Sequence, residues 1–340
     1  MTKNAVLIYS PDEYVAMHKD PTCSLEYEMS HIVMSVFGTL IAEGTEDNMI
    51  TFTSDSSNPD GADWQHLYLG YGSKVKYCII EYSRAGVDVA PGTEDSIVIS
   101  NTIIRHNLWT GIPIHSASPT ITYNEIYDSG GHQGIDTIGE NCNPLIENNI
   151  IRQCKVGIIV PAGNNSPIIK NNTFLNNDFG ITVFDNATPI IEGNTISSTE
   201  GAGQDWTYKG KSIYFGWSQE KGYVSVTGIN IQNSSPIINH NIIEKCAINI
   251  KIDGNSYPVI THNSISNAIG WGIIFGYSFS GEPEIYENSF KNNHNIALNS
   301  NCSIDVINNW WSTTNPEDIE ARIWHSCDDS SLGTVIYEPF

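Results

Sequence analysis

Positive charge is scarce in this chain. Only 16 Lys and Arg stand against 38 Asp and Glu in 340 residues, a formal net charge of −22. That balance argues against nucleic acid or an anionic membrane surface as a general partner, because both call for a basic face. Long apolar runs are missing as well. No stretch approaches the roughly 18–20 consecutive apolar residues of a membrane span, so none is expected. Seven cysteines are present, but no two have CxxC spacing, which weakens zinc and thioredoxin-like readings.

What is abundant is asparagine, placed by a rule. The phrase apolar–apolar–x–x–Asn–x–apolar recurs with Asn101, Asn124, Asn149, Asn172, Asn194, Asn241, Asn263, Asn288 and Asn309. The steps are 23, 25, 23, 22, 47, 22, 25 and 21 residues, a period near 22 with one doubled interval. Repeats of about 20–50 residues signal a solenoid, because one unit cannot bury its apolar face alone. Each unit holds three short β-branched phrases separated by Asn, Gly, Asp or Pro, and none shows helical spacing. Ser118, Asn143, Ser166, Ser235 and Tyr257 each precede a proline at the start of a coil, where proline is tolerated. Asparagine also tolerates a left-handed corner, and stacked asparagines can bond to the next coil about 4.8 Å away. These features predict an all-β parallel β-solenoid with an internal asparagine ladder.

At this level the units, with Cys78 in the ladder position, resemble the right-handed parallel β-helix superfamily of pectate lyases. They are more similar still to microbial secreted and surface β-helix-repeat proteins. Gly38 through Phe52 resembles that group's first coils, and Asn308 through Phe340 its usual ending. The resemblance implies a right-handed β-helix over 38–309, an N-terminal cap over 1–37 and a C-terminal cap over 310–340. In the latter, Asn315-Pro-Glu-Asp predicts a helix start, with Ile319, Ile323 and Trp324 on one side as a lid. The tryptophans there are expected in the core. The resemblance also implies export. Met1-Thr-Lys-Asn carries no apolar signal region, so a signal is expected to have been removed and the protein to act outside the cell or at its surface. A monomer is expected. The polygalacturonase paired-aspartate pattern and the pectate-lyase Arg-x-x-Pro-x-x-Arg phrase are both absent, so no catalytic residue transfers from those families.

Candidate function therefore rests on where the repeat breaks. Aligning the Gly corners predicts outward pairs Asp88/Ala90, Pro113/His115, Asp136/Ile138, Ile159/Pro161, Thr182/Phe184, Asn230/Gln232 and Asn249/Lys251. The middle of that face is apolar, and an insertion over 199–224 offers a cover. It carries Trp206, Tyr208, Tyr214, Phe215, Trp217 and Tyr223, with Lys209, Lys211 and Lys221 between them. Flat aromatic faces of this kind suit sugar rings or pin the loop down. A second irregular region, Arg105–Trp109 and Asp128–Gln133, joins His115 and Asp136 as a polar cluster. Asp136 with Asp128 or Glu140 could form a hydrolase pair, and His115, His132 and Asp136 a metal set.

These readings converge on a polysaccharide as partner, bound and cleaved along the face, with a lyase favoured over a hydrolase. Candidate catalytic residues are His132, Asp136, Lys155 and Lys211. Candidate binding residues are His115, Asp178, Phe184, Trp206, Tyr208, Trp217, Asn230 and Lys251. No cofactor follows from the sequence, and the one cation held in view is Ca2+, as the partner of a uronate. The loop from Asp55 to Asp63 fails the EF-hand spacing. A non-catalytic surface, adhesion or glycan-binding module is the competing class. Cys154 and Cys246 stand three coils apart, too far to bond, whereas Cys302 and Cys327 are the expected pair if one forms. Cys78 and Cys154 are expected as buried fillers.

Overall fold

The structure is a computed structural model describing residues 6–8, 33–92, 96–130, 132–198, 207–208, 211–212 and 226–340, with backbone alone for 6–8, 207–208 and 211–212. Three parallel sheets form the body, and each regular coil gives one strand to each. In one coil Leu145–Glu147 lies in sheet B, Ile150–Arg152 in sheet C and Val156–Val160 in sheet A. Sheet A has 13 strands, sheets B and C ten each. The architecture is the parallel β-solenoid that the repeat predicts.

Stacking is in register, so each inward residue rests on its equivalent in the next coil. Ile146 pairs with Ile169, Ile151 with Phe174 and Ile158 with Ile181. All six are fully buried, and a buried side chain of this size contributes about 1.5–3 kcal/mol. The core is therefore a column rather than a ball. The doubled interval does not interrupt it: the Asn194 backbone N–H donates directly to Asn241 Oδ1 at 2.8 Å.

The asparagine ladder runs along the corner between sheets B and C, with one correction. Asn124, Asn149, Asn172, Asn194, Asn241, Asn263 and Asn288 each donate their side-chain amide to the Oδ1 of the next, at 2.9–3.1 Å. Asn309 ends the series. In the coil before Asn124 the ladder residue is Thr102, which accepts from the Cys78 N–H and donates to the Ser100 carbonyl. Asn101 instead occupies the preceding position with φ 50°. The same left-handed place is taken by Tyr123, Asn148, Asn171, His240, His262, Glu287 and Asn308. The strained residue and the ladder residue are thus neighbours rather than one residue. A second, shorter set of side-chain acceptors lines the corner between sheets C and A, where Asn107, Asn177 and Asn293 cap the backbone N–H groups of Ser83, Cys154 and Ala268.

At the amino-terminal end Met34–Val36 is already a strand of sheet A, and Val6–Ile8 pairs with it antiparallel. At the other end the helix Pro316–Glu320 is capped by the Asn315 side chain and buries Ile319. Ile323 and Trp324 do not share one side as expected. They form a strand on the edge of sheet A, with Ile323 inward and Trp324 40% exposed. Trp311 is fully buried on Phe290, but Trp310 is 50% exposed, so only one of the three tryptophans is core. Cys78 and Cys154 are buried fillers, whose thiols burial pushes up to about 11 and about 12. Cys302 and Cys327 are both free, so the expected bond is not formed. Cys23 lies outside the described residues.

Candidate active site on the long sheet

Sheet A puts alternate residues outward, and parallel register carries them from coil to coil as rows. Tyr68 pairs with Asp88, Pro113 with Asp136, Asp136 with Ile159 and Ile159 with Thr182. Ile114 stands opposite Val89, which sets Pro113 opposite Asp88 and His115 opposite Ala90. The row continues through Asn230 and Lys251. Glycine fixes the entry to each strand. A Cβ on Gly134 would stand 2.7 Å from the Gly157 carbonyl oxygen and 2.7 Å from Ile151 Cγ2, so the close approach of coils excludes any side chain there. Asn249 occupies the equivalent place in a later coil. The expectation that it faces outward is wrong: it is fully buried, accepting from the Cys246 N–H and donating to the Ser266 carbonyl.

Four titratable groups meet on this face. His115 Nε2 lies 3.3 Å from Asp88 Oδ1. The hydrogen bond that His115 donates to Asp88 raises the pKa of the imidazole against the effect of burial, and the charges of Asp88 and Asp136 raise it further. Asp136 is different. Burial pushes its carboxyl up to about 7, with the His115 charge opposing. Tyr68, beside Asp88, is raised by burial and then by the Asp88 charge. One carboxyl group is therefore held beside an imidazole while the other keeps its proton towards neutral pH. Asp88 and Asp136 stand in one row two coils apart, about 10 Å between backbones at roughly 4.8 Å per step.

The other residues of the expected cluster separate. Arg105 pairs with Glu81 at 2.8 Å and donates to the Tyr127 hydroxyl at 3.0 Å, on sheet C. Asp128 pairs with His106 at 2.6 Å, at the corner beyond it. Glu140 is exposed in the turn after sheet A. Neither Asp128 nor Glu140 lies in the outward row of Asp136, whereas Asp88 does, two coils away. Asp88 belongs to the outward row that the Gly corners predict, but its own segment carries no motif that marks it as a site residue. Tyr68 precedes no Gly-Ile corner and left no such signal. His132 stacks instead at the corner between sheets C and A, 5.7 Å from the Trp109 ring, which carries the Arg84 guanidinium at 3.6 Å. Lys155 follows in the same column, its N–H on the His132 carbonyl at 3.0 Å, and Asp178 after it. Burial holds the His132 imidazole down to about 4, helped by Lys155 and Arg84 against a bond with Gln133. Phe184, Asn230 and Lys251 take their expected outward places. The backbones of Tyr208 and Lys211 are register partners in a two-stranded antiparallel pair, and Trp206 and Trp217 lie outside the described residues.

His115, His132 and Asp136 do not form a metal set. Among the described residues, the ligand atoms that converge within 4.8 Å are those of Glu320, His325 and Cys327, in the C-terminal cap. There His325 Nδ1 accepts the Val335 N–H at 3.0 Å, so Nε2 carries the hydrogen and donates to Glu320 at 2.8 Å. A metal at Nε2 needs that atom unprotonated, and the Val335 bond fixes the opposite tautomer. The group is a hydrogen-bonded clasp between helix and last strand. Among the described residues no helix is long and apolar enough to cross a membrane.

Residues 66–219 match the family described as right handed beta helix region. The chain is a right-handed parallel β-helix protein. Within this β-helix, residues 218–322 also match the family described as periplasmic copper-binding protein (NosD). Among solved structures, the A-module of mannuronan C-5 epimerase AlgE4 from Azotobacter vinelandii is similar at 12% identity and a TM-score of 0.53, over 81% of this chain and 76% of that one. The catalytic domain of a GH87 alpha-1,3-glucanase is similar at 13% identity and a TM-score of 0.45, over 90% of this chain and 57% of that one. Pectate lyase Pel9A is similar at 13% identity and a TM-score of 0.36, over 80% of this chain and 70% of that one. At 12% identity the likeness to the epimerase module is one of fold alone. No curated protein matches the chain.

Proposed function

We propose that this β-helix is an exported glycoside hydrolase that cleaves a polysaccharide on the outer face of sheet A. The observation that carries the reading is the pair Asp88 and Asp136, two carboxyl groups in one row whose surroundings differ. Asp136, kept protonated by burial, donates its proton to the glycosidic oxygen as the bond to the anomeric carbon breaks. Asp88, held by His115, accepts a proton from the water that attacks that carbon. A carboxyl group that burial keeps protonated is suited to the part of general acid, which leaves Asp88 the part of base. A spacing of about 10 Å between backbones suits the roughly 6.5–9.5 Å carboxyl separation of inverting enzymes. A polysaccharide suits a face whose groups lie in a line, and the module of similar fold is named for mannuronan. Export accords with the periplasmic family matched over 218–322.

The lyase reading has less support. It needs a base beside the bond, and the half-buried His132 is a weak one with its pKa lowered to about 4. Lys155 lies with it in the corner column, on the far side of Gly157 from the acidic row. The test is incubation with alginate, polygalacturonate, alpha-1,3-glucan and xylan, following reducing ends, ultraviolet absorbance and the anomeric configuration of the product. Inverted reducing ends without new absorbance are expected, with Asp136→Asn and Asp88→Asn each losing about 10²–10⁴-fold in kcat. Unsaturated products, or full turnover in both variants, would replace this reading.

A further inference from the structure

The acidic row does not stop at Asp136. From there the register runs unbroken through Ile159, Thr182, Asn230, Lys251, Ile274 and Ala297 to Trp324. Seven steps of roughly 4.8 Å put Trp324 about 34 Å from Asp136. The composition changes along the way. Thr182, Asn230 and Lys251 offer hydrogen-bonding groups, and Thr182 is only 3% exposed with a hydroxyl that has no partner. A buried hydroxyl left unpaired is costly unless something else bonds it.

The last coils then turn aromatic. Trp271 pairs with His294 in the neighbouring outward row, their rings 5.1 Å apart. Trp324 is 40% exposed at the edge, Tyr277 is 88% exposed in the turn beyond Phe275, and Ala297 between them adds almost no side chain. Indole rings present a flat apolar face with a polar edge. A linear glycan has the matching alternation, with C–H faces along the chain and hydroxyls at its sides. A peptide strand would want a free sheet edge, and this face has its backbone groups already paired between coils.

We infer that the outer row of sheet A is an extended binding face for a linear glycan, with Trp271 and Trp324 as a distal stacking subsite. This deepens the glycan reading above and rests on it. The face selects for chain length: a short oligosaccharide reaches Asp88 and Asp136 but not the tryptophans, and a long chain spans both.

The test is electrophoresis of the full chain through native gels containing soluble alginate, polygalacturonate, carboxymethylated alpha-1,3-glucan or xylan, paired with kinetics on polymer and trisaccharide of the same sugar. Wild type and Asp136→Asn are expected to be retarded by at least one polymer. Trp271→Ala and Trp324→Ala should weaken that retention at least tenfold, and should lower the ratio of kcat/KM for polymer over trisaccharide. Trp324→Phe, which keeps a ring, should recover part of it, and Thr182→Val should weaken it without loss of fold. Retention unchanged in the double alanine variant overturns the distal subsite while leaving hydrolysis standing. Tryptophan-dependent retention with no bond cleaved supports the face and overturns the hydrolase. No retention by any polymer overturns the inference.

Discussion

Replacing Asn172 with alanine tests the ladder at its centre. Asn172 is 1% exposed. Its Oδ1 accepts from the Asn149 backbone N–H at 2.9 Å and from the Asn149 side-chain amide at 3.0 Å. Its amide donates to the Ile146 carbonyl at 2.9 Å and to Asn194 Oδ1 at 3.1 Å. Asn149 keeps side-chain bonds to the Ile121 and Glu147 carbonyls, so the serious losses are two backbone groups, the Asn149 N–H and the Ile146 carbonyl. A buried polar group deprived of its partner costs about 1–3 kcal/mol, which gives about 2–6 kcal/mol for Asn172→Ala. Asn172→Thr should lose less, because Thr102 shows that a hydroxyl can accept the neighbouring N–H in this position. Guanidinium unfolding reads the loss, and hydrogen exchange should place it in the coils of Asn149, Asn172 and Asn194, since each coil couples to its neighbours. A loss under about 1 kcal/mol for alanine, or equal losses for alanine and threonine, would refute the argument.

Two pH predictions follow from the acids. Asp136 is raised to about 7 in the folded protein against about 3.9 unfolded. The folded state therefore binds the proton more tightly, and stability should fall as pH rises from about 4 to about 7. Asp136→Asn removes that slope, so melting temperatures should show the variant gaining on wild type from pH 4.5 to pH 8; a gap independent of pH would contradict the burial. Glu320 behaves oppositely. Burial acts to raise it, but hydrogen bonds from His325, Cys327 and Tyr337 prevail and hold it below the usual carboxylate range. Its contribution is present above that range and lost as pH falls through the folded value, so Glu320→Gln should melt lower than wild type at pH 7 and converge with it in acid. Equal gaps at both pH values would remove Glu320 from the clasp.

What was legible in the residues was whatever repeats. Core isoleucines, corner glycines and ladder asparagines recur every coil, and the outward places of Asp136, Phe184, Asn230 and Lys251 follow from period-two alternation. Offsets of one residue were less legible. Asn101 and Thr102 both satisfy the polar corner, and only the stacked hydrogen bonds decide which turns inward. Asn249 breaks the glycine column, and nothing in its own segment announces that its amide would find the Ser266 carbonyl. Arg105, Asp128 and His132 sit close in sequence to the site, but the corners send them to sheet C and to the flanking column.

The sequence by itself determined the coil, its three strands, the ladder and the acidic balance, because a repeat stacks on copies of itself and each copy carries the same instructions. Tertiary structure alone decided which unlike side chains meet. Asp88 and Asp136 are 48 residues apart, and they share a row only because two full coils between them keep register. His115 reaches Asp88, and Asp136 keeps its proton, through packing across coils. No period written in the chain specifies that packing.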